Sequence, residues 1–165
     1  MAPRPPVHLS RKERVGLFLH RGLDRRLSPF GVWVFRRTRG GIARPWKVNA
    51  LLLTTCGRRS GRERTVVLQY FPDGRDIILA AANDGGPSHP GWYFNLMADP
   101  RARVEIDGVT RHVFASQLPD AEAAEWWHRI LQASPEYERY ARATSRRIPI
   151  MRLSPDEPAR LAGGG

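Results

Sequence analysis

Residues 50–82 read ALLLTTCGRRSGRERTVVLQYFPDGRDIILAAA, and the way the apolar runs of this stretch are joined decides the fold. ALLLTT and TVVLQYF are short, aliphatic or β-branched, and bounded by turn formers, the pattern of buried strands. Val48 to Thr55 is therefore expected as one strand and Thr65 to Phe71 as the next. Pro72-Asp73-Gly74-Arg75 has proline and glycine where a tight turn wants them, and Asp76 to Ala82 returns as a third strand.

Outward from this stretch the same period continues. Arg101 to Ile106, the turn Asp107-Gly108, and Val109 to Ala115 make a hairpin of the strongest short-range type, and Arg147 to Leu153 is a final strand. Helices are inserted between these strands. One runs from about Trp92 to Ala98, one from Asp120 to Ala133 with Asp120, Glu122 and Glu125 near its start, and one from Pro135 to about Ser145. Some six strands of mainly hairpin connectivity argue against a doubly wound sheet. They predict an α+β fold, a small antiparallel barrel with helices packed outside and its glycine-rich loops at one mouth.

The chain has 165 residues, a length that a single hydrophobic core can serve. It divides into an N-terminal segment (1–45), the barrel (46–156) and a Gly-rich tail (157–165). In the first, Val15, Leu19, Leu23, Leu27 and Phe30 recur at helical spacing after Ser10, and Arg11, Lys12, Arg14, Arg21, Arg25 and Arg26 form the other face. Such a basic amphipathic helix packs on its own domain or lies on an anionic membrane surface. Its apolar run is too short for a signal peptide or a membrane span.

The formal charge is +11, and only two of the 27 basic residues are lysines. Arginine's planar fork matches phosphate and carboxylate oxygens, so anionic partners are expected, although a G- and C-rich genome would also favour arginine. The single cysteine, Cys56, excludes an intramolecular disulfide and fits a reducing cytoplasm; at the end of a buried strand it reads as a small core residue. The five histidines show no metal-ligand spacing.

Two segments can carry chemistry. GRRSGRER (57–64) has two glycines that admit unusual backbone angles, a serine, and Arg58, Arg59, Arg62 and Arg64, the composition of an anion site. A solvated turn has similar composition; the length of the connector favours the site. NDGGPSHPGWYFNL (83–96) is a shaped loop before a helix whose free amides suit a negative group, with Trp92 and Tyr93 able to stack on a planar ring. No acid, base or nucleophile constellation is present, so an enzyme built this way needs a cofactor that carries the reactivity.

LLLTTCGRRSGRERTVVLQYFPDG, ILAAANDGGPSHPGWYFNLMADPRARVEIDG and SPEYERYARATSRRIPIMRL together resemble the deazaflavin-dependent nitroreductase family of actinobacteria, split-barrel oxidoreductases that use coenzyme F420. The resemblance spans residues 49–155. It implies a split β-barrel, reduced F420 as hydride donor, and an electron-poor small-molecule acceptor: a quinone, nitroaromatic or conjugated carbonyl. It further implies that Arg58, Arg59, Ser60 and Arg64 hold the cofactor's anionic tail, while the backbone of Thr65, Val66, Val67, Leu68 and Gln69 runs beside its ring. Ala80, Ala81, Ala82 and Asn83, with Gly91, Trp92, Tyr93, Phe94 and Asn95, would close the phosphate and ring pockets. Tyr137, with Tyr140 near it, would line the acceptor side as catalytic residues, water or a tyrosine hydroxyl delivering the proton.

The chain departs from the family's pattern at Gln69 and Ser134, where some members carry aromatic residues, and at Asn83-Asp84. Those changes favour a quinone over a nitroimidazole. Pairing into a homodimer is expected by analogy. Two alternatives stand beside this reading: a split barrel that binds FMN, and a basic nucleic-acid-binding barrel without enzymatic activity. The second is disfavoured because the aromatic residues sit in helices and one loop, not along an exposed strand.

Overall fold

The computed structural model describes residues 32–33, 36–38 and 49–156. The amphipathic pattern of residues 10–30, most of the basic loop at 36–45 and the tail at 157–165 lie outside the described residues.

Seven strands form one antiparallel sheet: β1 (Ala50–Cys56), β2 (Glu63–Gln69), β3 (Phe71–Asp73), β4 (Asp76–Ala80), β5 (Arg101–Ile106), β6 (Val109–Gln117) and β7 (Ile150–Pro155). Their order across the sheet is β2-β1-β5-β6-β7-β4-β3. The two edge strands, β2 and β3, are consecutive in the chain and separated by Tyr70 alone. A sheet whose opposite edges are one residue apart must roll up, so this connectivity makes the sheet a barrel split along the β2/β3 seam.

The expected single strand from Thr65 to Phe71 is therefore two. β2 pairs with β1, Gln69 opposite Ala50, whereas Phe71 pairs with Ile78 of β4. The chain changes partners at Tyr70, whose amide still donates to the Asn49 carbonyl at 2.9 Å. The last strand also begins and ends later than the sequence indicates, because Met151 and Leu153 must face inward in register with Leu79 and Ile77.

Alternation sorts each strand into two faces. Leu51, Leu53, Ile77, Leu79, Ala102, Val104, Val113, Ala115, Met151 and Leu153 fill the barrel, and Trp92 and Leu96 of helix α1 (Gly91–Ala98) plug it. On the outer face Phe71, Ile78 and Ile150 pack beneath helices α2 (Asp120–Ala133) and α3 (Glu136–Ala143) through Trp126, Ile130, Tyr137 and Tyr140. Farther round the outer face, Leu52 is 1% exposed beside Glu105, and Arg36 pairs with that carboxylate at 3.0 Å. Arg36 is thus joined to the barrel wall.

Candidate functional site

The connector between β1 and β2 closes on itself. The Gly57 amide donates to the Arg62 carbonyl at 2.8 Å, and the Gly61 amide donates back to Gly57 at 2.7 Å. A side chain at Gly57 would lie 2.9 Å from Ser60 Oγ and 3.0 Å from the Arg62 carbonyl, so close approach demands glycine there. Gly61, at φ +65°, supplies the left-handed turn. A loop this tight has no interior for side chains, and Arg58, Arg59, Ser60, Arg62 and Arg64 are all exposed. Cys56 is exposed too, contrary to expectation: inward alternation ends with Thr55, and the Cys56 thiol turns to the Gly61 carbonyl at 3.5 Å.

The loop is docked on α1. Asn95, buried, donates from Nδ2 to Thr55 Oγ1 at 3.0 Å and accepts from the Arg58 amide at 3.2 Å. The Arg58 guanidinium sits 4.6 Å from the centroid of the Phe94 ring, a cation–π contact. Arg101, Arg103, Arg142, Arg147 and Arg152 each have a carboxylate partner, whereas Arg59, Arg62 and Arg64 have none among the described residues. Three exposed guanidiniums without counter-charges concentrate positive potential at the start of β2.

The second segment arrives at the same place from the other end of α1. Asn83 and Asp84 hold left-handed backbone at φ 50° and 52°, and Gly85 follows at 75°. A side chain on Gly85 would meet the Tyr140 carbonyl at 2.8 Å, which presses this turn onto α3. The Asn83 side chain, not that of Asp84, ties the loop by donating to the Ser88 carbonyl at 2.9 Å. Tyr93, half-buried, donates its hydroxyl to Gln117 Oε1 at 2.9 Å and stacks at 4.7 Å on His89. Trp92, by contrast, belongs to the barrel core, and Ala81 and Ala82 are buried beneath the loop. The glycine-rich loops do gather at one mouth.

β2 runs from the arginines toward the helix layer. Thr65, Val66, Val67, Leu68 and Gln69 are half-buried, and no strand among the described residues pairs with the outer edge. From Arg64 to Gln69 it spans about 17 Å. At its far end Gln69 Nε2 donates to buried Ser134 Oγ at 2.5 Å, leaving Gln69 Oε1 buried without a partner. Turning the amide over only exchanges the roles, so one end of it stays unsatisfied in either orientation. Two positions at which the sequence leaves the family pattern, 65 residues apart, are therefore in direct contact.

Tyr137 and Tyr140 sit inside the outer apolar cluster, 6% and 5% exposed, their rings 5.4 Å apart. Phe71 and Trp127 pack edge-on against Tyr137. Burial pushes the Tyr137 phenol well above its usual range and Tyr140 up to about 12, the neighbouring phenol and Asp84 adding to the respective shifts. Both stay protonated at neutral pH and can donate a hydrogen bond. Tyr137 reaches the site's frame through Ser134, whose carbonyl accepts the Tyr137 amide at 3.1 Å, and Tyr140 through Gly85.

A cleft of about 320 Å³ opens elsewhere, between α2, α3 and residues 146–150, and contains none of the binding residues named from the sequence. One of its walls is Arg146, which sequence reasoning did not single out. Arg146 holds the 81–89 loop from behind, and its partners, apart from His89, are carbonyls that leave no mark in a sequence.

A family model described as F420H(2)-dependent quinone reductase matches residues 29–155. The chain is similar to an F420H(2)-dependent quinone reductase of Mycobacterium tuberculosis, 32% identical over 126 residues that cover 73% of this chain and 85% of the relative. The solved structure of an F420-H2 dependent reductase, FDR-A, is similar with a TM-score of 0.59 and 32% identity, covering 64% of this chain and 94% of that one. Another, described as a domain-swapped dimer, has a TM-score of 0.59 and 29% identity, covering 74% and 97%.

Proposed function

The chain belongs to the F420H2-dependent quinone reductase family, and from that premise we propose that it reduces a quinone with reduced coenzyme F420 bound along β2. One observation carries this reading: among the described residues β2 is a half-buried strand at the edge of the sheet, bounded by three arginines without a carboxylate partner at one end and a buried amide oxygen without a hydrogen-bond partner at the other. A ligand with a polyanionic tail and a planar, hydrogen-bonding ring fits those two ends in that order. When bound, the coenzyme supplies the hydride that, with a proton, converts a quinone to its hydroquinone.

The chain's own residues then have defined tasks. Arg59, Arg62 and Arg64, with Ser60, hold the tail's negative charges, and Arg58 and Asn95 fix the loop that carries them. The backbone of β2 from Thr65 to Gln69 runs beside the ring. The segment Ala80 to Asn83 and the start of α1, Gly91 to Asn95, bound the slot on its other side. Tyr137 and Tyr140, protonated at neutral pH, are donors toward an acceptor's carbonyl oxygen rather than sources of a mobile proton, because burial raises their pKa and phenols so raised release protons reluctantly. Close approach and orientation supply most of the rate.

Charge and the amphipathic pattern at residues 10–30 support an acceptor met at an anionic membrane surface. No helix among the described residues is long and apolar enough to cross a membrane. The domain-swapped relative supports a homodimer.

The test is a titration with oxidised F420 followed by its fluorescence, with FMN in parallel, and then turnover with a soluble naphthoquinone and the reduced coenzyme. Tight F420 binding with weak FMN binding and quinone-dependent oxidation is the expected result. Preferential FMN binding, or binding of neither, rejects the reading.

A further inference from the structure

We propose that Arg146, together with His89, is a positioning residue that shapes the 81–89 segment from behind, acting through the backbone and touching no ligand itself. The inference rests on the reading above that this segment borders the coenzyme.

Arg146 stands after α3, and its guanidinium makes a fan of contacts into one loop. Its Nε donates to the Gly86 carbonyl at 3.0 Å, Nη1 to the Ala81 carbonyl at 3.1 Å, and Nη2 to the Ala82 carbonyl at 2.5 Å. Nη1 also lies 2.8 Å from His89 Nδ1 and 3.4 Å from the Arg147 carbonyl. Among the described residues it has no carboxylate partner. A partly buried cation met only by carbonyl dipoles and an imidazole is a costly way to hold a surface loop, so the arrangement is informative. A lysine could hold one of these carbonyls; the planar fork holds three peptide groups at once.

The consequence lies on the opposite side of those peptides. In a trans peptide the carbonyl and the next amide point in opposite directions. Drawing the Ala81 and Ala82 carbonyls to Arg146 therefore turns the Ala82 and Asn83 amides away from it, and neither amide has a protein partner among the described residues. Ala82 at φ −70°, ψ −37° followed by Asn83 at φ 50° is the right-handed then left-handed succession that makes consecutive amides converge on an anion or a carbonyl. Arg146 thus sets the aim of donors that it does not itself supply.

His89 links the clamp to the connector. Arginine can only donate, so His89 Nδ1 accepts and the ring proton is on Nε2. The ring packs on Tyr93 and Phe94, and Phe94 carries Arg58. The charged and titratable groups facing His89 are Arg146 from behind and Tyr93 from α1. Burial first, and Arg146 second, hold the imidazole below its usual pKa. Protonation would aim an Nδ1–H at the guanidinium, two donors and two positive charges together, and open the clamp. Coenzyme affinity should fall as pH drops below the ordinary histidine range.

The experiment compares wild type, Arg146→Met, Arg146→Lys and His89→Gln. Dissociation constants for oxidised F420 are measured at pH 7.5 and pH 5.5, beside thermal melts. Arg146→Met is expected to weaken binding at least tenfold, with Arg146→Lys recovering only part. His89→Gln keeps an acceptor for Arg146 but cannot titrate, so its ratio of affinities between the two pH values should be smaller than the wild-type ratio, which a merely structural loop anchor would not change. A folded Arg146→Met that binds within twofold of wild type overturns the proposal. So does a His89→Gln ratio equal to that of wild type, which decides the matter even if Arg146→Met fails to fold. Absence of F420 binding by the wild type would reject the cofactor reading and this inference with it, whereas normal wild-type binding with unaltered variants rejects the positioning alone.

Discussion

The arginines of the β1–β2 connector and Arg152 of β7 are the same residue type in opposite circumstances. Arg152, with 23% of its side chain exposed, donates from Nη2 to Asp73 at 3.1 Å and to Glu122 at 2.5 Å. Its Nε lies 3.3 Å from Asp76, an ion-pair distance without hydrogen-bond geometry. One cation there joins the β3–β4 hairpin to α2 and β7. Arg59, Arg62 and Arg64 are exposed and meet no carboxylate among the described residues. The first arrangement exhausts the guanidinium on the fold; the second leaves it for something the chain does not contain. Partner count, more than arginine count, separates a structural cation from a binding one.

The contrast breaks most readily at the connector. Arg59→Ala or Arg64→Ala should each cost about 1.5–3 kcal/mol of F420 affinity, the range for hydrogen bonds to charged groups, which is roughly ten- to a hundred-and-fifty-fold. Neither should shift the melting temperature measurably. Fluorescence titration beside a thermal melt reads both, and an affinity equal to wild type would remove the assigned role of the loop. The converse is expected at β7. Arg152→Met leaves three carboxylates facing one another and should lower unfolding free energy by about 2 kcal/mol, less than a fully buried pair because solvent reaches the cluster. Coenzyme affinity should stay put; a variant that keeps its stability but loses F420 would invert the comparison.

Legibility in the sequence followed the range of the interactions. Asp107 and Gly108, at φ 51° and 82°, form the tight turn that their dipeptide announces, and α2 covers the stretch from Asp120 to Ala133 whose start its carboxylates mark. Both are local. The change of partner at Tyr70 was invisible because β2 and β3 are set by β1 and β4, and a residue cannot signal the closing of a barrel. The arginine connector was legible by composition, yet its docking through Asn95 was not, since a buried asparagine between Thr55 and Arg58 looks in sequence like any helix residue. Arg146 was the least visible: its partners lie 57–65 residues away and are mostly main-chain atoms.

A smaller effect sharpens the comparison within the helix layer, where burial rather than pairing sets the chemistry. The phenols of Tyr137 and Tyr140 ionise later in the folded chain than in the unfolded one, where the ordinary value is about 10. Between about 10 and the raised folded values the unfolded state holds fewer protons, so stability is complete below pH 10 and declines as pH rises through that window. Tyr137→Phe should flatten the fall in melting temperature between pH 9 and pH 11. It should also alter quinone turnover more than F420 affinity. Unchanged turnover would confine Tyr137 to packing.

The smallest effect lies between the paired and unpaired arginines. Glu63, the first residue of β2, is the one carboxylate in the 57–64 segment, and Arg103 of β5 pairs with it at 2.8 Å, the Arg103 and Glu63 side chains being 41% and 64% exposed. Exposed pairs of this kind contribute about 0.5 kcal/mol to stability, so Arg103→Ala should scarcely move the melt. It does, however, release a negative charge beside the group of cations that the coenzyme's tail must meet. F420 affinity should drop a few-fold at low salt, recover at high salt as the charge is screened, and return when Glu63→Ala is added. If Arg103→Ala binds like wild type at low salt, the connector's field is set by Arg59, Arg62 and Arg64 alone, and Glu63 is too well solvated to oppose them.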